Sequence, residues 1–79
     1  MNIMVIGAGC SACSLLYNNT VMAAQELGID TEIVFEHDIA KGLAYEVLQL
    51  PALIINDKAV SYGKDLSVDE VKEILRKYV

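Results

Sequence analysis

Ile3-Met4-Val5-Ile6-Gly7-Ala8-Gly9-Cys10-Ser11-Ala12-Cys13 is the stretch on which the reading of the fold turns. Ile3, Val5 and Ile6 form a short apolar run closed by Gly7, the pattern of a buried strand. Gly7-Ala8-Gly9 then makes a tight turn, and a helix is expected from Ser11 to about Leu27. Leu16, Thr20, Ala23 and Leu27 recur at helical spacing, and Gly28 is placed as the stop. Strand, turn and helix thus meet at Cys10 and Cys13. Unpaired N–H groups at a helix N-terminus stabilise a thiolate there, which makes Cys10 the expected nucleophile and Cys13, one turn on, its resolving partner.

Outward from this stretch, Thr31 to Phe35 is a β-favouring segment, and Asp38 is a suitable N-cap for a short helix through about Val47. Gly42 weakens that helix. Beyond Pro51, Ala52 to Ile55 and Lys58 to Ser61 read as antiparallel strands joined by Asn56-Asp57, residue types that accept the positive φ of a two-residue hairpin. Ser67 and Glu70 have the spacing of a capping box, and Val68, Val71, Leu75 and Tyr78 give the helix that follows one apolar face. The expected order is β-α-β-α-β-β-α, an α/β fold in a single domain over residues 1–79.

The chain has 79 residues, 54% of them hydrophobic, so it is small but apolar enough to fold by itself. Two cysteines are too few for the disulfide framework of a small secreted domain, and their spacing points to redox chemistry or metal. The apolar start from Met1 to Ile6 is far too short for a membrane span and follows no basic segment, so a soluble, cytoplasmic protein without membrane attachment is expected. The net charge is -5, and the first forty residues carry Glu26, Asp30, Glu32, Glu36 and Asp38 with no Lys or Arg. Nucleic acid is therefore an unsuitable partner, because phosphates need a basic patch.

Several other chemistries fit parts of the motif. Gly7 to Ala12 also matches Gly-x-Gly-x-x-Ala, with Glu32 or Glu36 near the distance of a ribose ligand, but the chain holds one such unit and then turns to a hairpin. The loop from Gly9 to Cys13 is also like that of small domains that hold soft metals such as Cu(I) between two thiolates. Those domains end on a strand, whereas a helix is expected here. Structural zinc would have only Cys10, Cys13 and His37 where four ligands are usual. Burial of both cysteines as small hydrophobes is the plain alternative, and a non-catalytic interaction module of the same fold is another. His37, between Glu36 and Asp38, is expected to be a solvated loop residue.

The stretch Gly7 to Cys13, the helix end Glu26-Leu27-Gly28-Ile29, the segment Pro51-Ala52-Leu53-Ile54-Ile55-Asn56 and the closing helix together resemble the small redox-active disulfide proteins. These form a compact thioredoxin-like family related in fold to glutaredoxins, and the resemblance covers nearly the whole chain. It implies a thioredoxin-like fold with a four-stranded mixed sheet, and a thiol-disulfide oxidoreductase that needs no cofactor or metal. It further implies protein disulfides as substrates, a protein reductase as electron donor, and a cis Leu50–Pro51 peptide facing the cysteines. Leu50 and Pro51 are then the substrate-binding residues.

The chain differs from such relatives at three places. Ser11, Ala12, Ser14 and Leu15 are uncharged where a lysine is common, Leu50 stands where threonine is common, and Tyr62-Gly63-Lys64-Asp65 holds only part of a glutathione-binding pattern. Charge is in fact missing from Ser11 to Gln25 altogether. Leu15, Tyr17, Val21 and Met22 fall on the flanks or outer face of the first helix, which suggests a homodimer or partner contact there.

Overall fold

The computed structural model describes residues 2–8, 11–45, 49–63 and 66–78, apart from the side chain of Ile39. The elements are β1 (Ile3–Ile6), α1 (Ser11–Glu26), β2 (Ile33–Glu36), α2 (Ile39–Leu43), β3 (Ala52–Ile55), β4 (Lys58–Tyr62) and α3 (Val68–Arg76). The order is that expected from the sequence, and the strands form one mixed sheet in the order β2-β1-β3-β4. β1 runs parallel to β2 and antiparallel to β3, and β3 pairs antiparallel with β4.

Side-chain alternation along the strands separates two apolar clusters. Ile3 and Val5 of β1 and Leu53 and Ile55 of β3 join Leu16, Ala23 and Ala24 of α1 and Val71 and Leu75 of α3. Ile6, Ala52 and Ile54 point to the opposite face, where Met4, Tyr45, Leu50 and Ala59 pack on them. Both long helices therefore share one side of the sheet. Cys13, Leu16, Thr20, Ala23 and Ala24 are the buried residues of α1, while Leu27 is only half-buried. The hydroxyl of Thr20 donates to the Leu16 carbonyl at 2.7 Å, which satisfies the one polar side chain in this stripe.

Local chemistry sets the ends of the elements. Gly28 has φ +70° and stops α1; Asn56 and Asp57, at φ 52° and 65°, form the hairpin between β3 and β4. The Ser67 hydroxyl accepts from the Glu70 N–H at 3.2 Å and the Glu70 carboxylate accepts from the Ser67 N–H at 3.0 Å, a complete capping box on α3. Asp38 caps α2 by accepting from the Ala40 N–H at 3.0 Å.

Several boundaries depart from the sequence reading, α1 and β4 by a single residue each. α2 ends at Leu43, where Gly42 already weakens the helix, and Val47 lies outside the described residues. β2 begins two residues later than Thr31 and extends to Glu36, since its pairing with β1 starts at Ile33. Tyr78 follows the end of α3 and is exposed, so the buried face of that helix is carried by Val71 and Leu75.

Candidate functional site

The register of the sheet brings the sequence motifs to one end of its two central strands. Ile6 is paired with Glu36 on one side and Ala52 on the other. Gly7, the next residue, is therefore flanked by His37 after β2 and by Pro51 before β3. The Gly7 N–H donates to the Glu36 carbonyl at 2.9 Å, and the Pro51 carbonyl accepts from the Gly63 N–H at 2.9 Å. The Leu50–Pro51 peptide is cis. Pro51 is buried and Leu50 half-buried.

Cys13 lies in the first turn of α1 with none of its surface exposed. Its position explains Gly7. A β-carbon on Gly7 would lie 2.5 Å from the Cys13 Cβ, 2.9 Å from its Sγ and 3.1 Å from Cε1 of Phe35. The missing side chain at Gly7 thus lets β1 approach the start of α1 and seats the Cys13 sulfur beside the strand. Cys10 immediately precedes Ser11, the first residue of α1, and lies outside the described residues. Gly9 lies outside them too, as do Lys64 and Asp65 of the partial glutathione pattern.

Charged groups gather where β2 ends. The Lys41 ammonium lies 2.8 Å from the Glu36 carboxylate. That hydrogen bond, with help from the Asp38 N–H, holds the Glu36 carboxyl below its usual range, and Glu36 in turn raises Lys41. His37 is exposed, as a loop histidine should be, but its ring stacks on Phe35. Phe35 also stacks on Tyr17 of α1. Sequence reading missed this group, although Phe35 and His37 have the i, i+2 spacing of one strand face, and Tyr17 follows Cys13 by four residues on one helix face. No group of three or more His, Cys, Asp or Glu side chains is arranged for a metal among the described residues.

The model of the thioredoxin domain matches residues 1–76. The chain belongs to the thioredoxin family. It is 40% identical over 77 residues to a thioredoxin from Methanocaldococcus jannaschii, an alignment spanning 98% of this chain and 88% of that protein. It is 33% identical over 75 residues to a thioredoxin from Methanothermobacter thermautotrophicus, spanning 95% of this chain and 97% of that protein. Family membership supports a thiol-disulfide oxidoreductase role in general terms. It also accounts for the helix at the end of the chain, where the soft-metal domains considered from the sequence have a strand.

The outer face of α1 carries no charge before Glu26: Leu15 and Met22, 51% and 52% exposed, share it with the exposed Ser11, Ser14, Asn18 and Gln25, and Val21 is half-buried. No helix among the described residues is long and apolar enough to cross a membrane.

Proposed function

We propose that the protein reduces or exchanges disulfides of other proteins through Cys10 and Cys13. The observation that carries this reading is the placement of Cys13, buried at the first turn of α1 against Gly7, at the end of the central strands that also holds Leu50 and Pro51. In the reductive direction, the Cys10 thiolate attacks one sulfur of a substrate disulfide, whose S–S bond breaks and releases one substrate thiolate. Cys13 gives up its proton and attacks the Cys10 sulfur of the mixed disulfide. The Cys10–Cys13 bond forms and the second substrate thiolate leaves. Two electrons have passed to the substrate, its thiolates take up protons from water, and a protein reductase restores the dithiol.

The roles follow from location. Cys10 immediately precedes in sequence a sixteen-residue helix, and the positive N-terminal end of a helix favours negative charge. No acidic side chain in the first turn of α1 opposes this. Leu50 and Pro51 present backbone to an extended substrate segment beside the cysteines. The location we assign is the cytoplasm, where thiols are kept reduced, with contact to protein partners also made through Leu15, Val21 and Met22.

Turnover of a protein disulfide by the reduced chain tests the proposal. The intact protein should release two thiols per equivalent, Cys13→Ser should stop at a covalent adduct on Cys10, and Cys10→Ser should form no such adduct. Adducts of equal yield on both variants would contradict the assigned roles, and stoichiometric soft-metal uptake without thiol release would contradict the function.

A further inference from the structure

Three rings, one from α1 and two from the end of β2, form one continuous stack beside Cys13. The centroids of Tyr17 and Phe35 are 5.0 Å apart with planes 21° from parallel. Those of Phe35 and His37 are 4.6 Å apart at 22°. Tyr17 comes one helical turn after Cys13, and Phe35 is on the strand that receives the Gly7 hydrogen bond. The Phe35 ring and the Cys13 sulfur border the same space beside Gly7. The point where a Gly7 β-carbon would sit is 2.9 Å from Sγ and 3.1 Å from Phe35 Cε1, so sulfur and ring are no farther apart than those distances end to end.

Nothing in disulfide exchange calls for three stacked rings. Their geometry fits a wall instead. Tyr17 and Phe35 are half-buried and His37 is exposed, so the stack runs from the α1 side of the sheet out to solvent alongside the cysteine. A ring held on both faces has little freedom to swing away, and Gly7, pinned to Glu36, leaves the sulfur no room on the strand side.

We propose that Phe35 is a positioning residue for Cys13. Its ring, clamped between Tyr17 and His37, shields the sulfur from external oxidants and disulfides and aims it at its neighbour in the motif. Cys13 then exchanges only within the Cys10–Cys13 pair: it attacks the Cys10 sulfur, the bond from Cys10 to substrate breaks, and the substrate leaves as a thiolate that takes a proton from water. The aiming role rests on the disulfide-exchange reading above, whereas the shielding role does not.

The experiment has two arms. In the first, Cys10→Ser leaves Cys13 as the lone thiol, and its alkylation by iodoacetamide is timed in this background, in Phe35→Ala and Phe35→Leu, and in Val71→Ala as a control for general core damage. Urea unfolding of each sample supplies its stability. Phe35→Ala should speed alkylation by roughly tenfold or more beyond the Val71→Ala control at equal stability, and Phe35→Leu, which keeps apolar bulk, should fall between parent and Phe35→Ala. If Phe35→Ala does not fold, Phe35→Leu carries the same comparison. Equal alkylation of Phe35 and Val71 variants at equal stability would overturn the shielding role.

The second arm uses the cysteine pair. Phe35→Leu should slow release of the second substrate thiol severalfold while leaving the first attack, measured with Cys13→Ser, at the parent rate. Equal slowing of both steps would overturn the aiming role. A parent protein that exchanges no disulfide at all would contradict the proposed function, and the alkylation arm would still decide the shielding.

Discussion

Replacing Gly7 with alanine would place a methyl group where two atoms of Cys13 already stand, 2.5 Å from Cβ and 2.9 Å from Sγ. Neither side can easily move. The Gly7 N–H is held by the Glu36 carbonyl, and the Cys13 Cβ is fixed to the backbone of α1, so relief requires shifting the strand or the helix. The third neighbour, Phe35 Cε1 at 3.1 Å, belongs to a ring stacked on both faces and yields little. Overpacking of this kind typically costs about 1–3 kcal/mol. For a domain of this size each kcal/mol lowers Tm by roughly 4–8 °C, so a fall on the order of 4–24 °C is expected. Thermal unfolding followed by circular dichroism on reduced protein, with urea titration in parallel, measures it. Gly28→Ala is the comparison: φ is +70° but nothing lies within 4 Å, so only backbone strain of about 1 kcal/mol is expected. A Gly7→Ala protein as stable as the parent would refute the close packing of Cys13 on β1.

Ser67→Ala should cost about 0.5–2 kcal/mol in urea unfolding, because it removes the acceptor of the Glu70 N–H at the start of α3. The Glu36–Lys41 pair should stabilise the fold above the ordinary carboxyl value of 4.5 and lose that contribution as the pH falls through the lower folded value. On the alkaline side its contribution is complete below the ordinary lysine value of 10.5 and is lost as the pH rises through the higher folded value. Lys41→Met should flatten both limbs of the stability–pH curve measured by urea titration. Met22→Glu should stay within about 0.5 kcal/mol of the parent, since that side chain is half in water; a large loss would show that this face is part of the core.

Features set by neighbouring residues were legible in the sequence. The Ser67–Glu70 box, the Asn56-Asp57 hairpin, the Gly28 stop and the Asp38 cap each depend on chemistry within four residues, and each stands where it was expected. The expected core stripe of α1 holds at Leu16, Thr20 and Ala23 because its 3.6-residue period survives packing. What escaped the sequence depends on contacts that no local capping or turn pattern specifies. Gly7 reads as a turn residue, yet its closest constraint is the side chain of Cys13. His37 reads as a solvated loop residue; it is exposed, but the ring beneath it belongs to Phe35, and the next to Tyr17. The Glu36–Lys41 pair crosses from a strand to a helix at a spacing that no single periodicity favours.

The most direct test of the central claim is equilibration of the protein with glutathione buffers across a range of potentials, followed by acid quenching, alkylation and mass measurement. A reversible Cys10–Cys13 couple predicts that both labels are lost together in one transition with the two-electron slope of about 30 mV per tenfold change. Two cysteines that stay alkylatable in the most oxidising buffer, or that each take up glutathione separately, would contradict it.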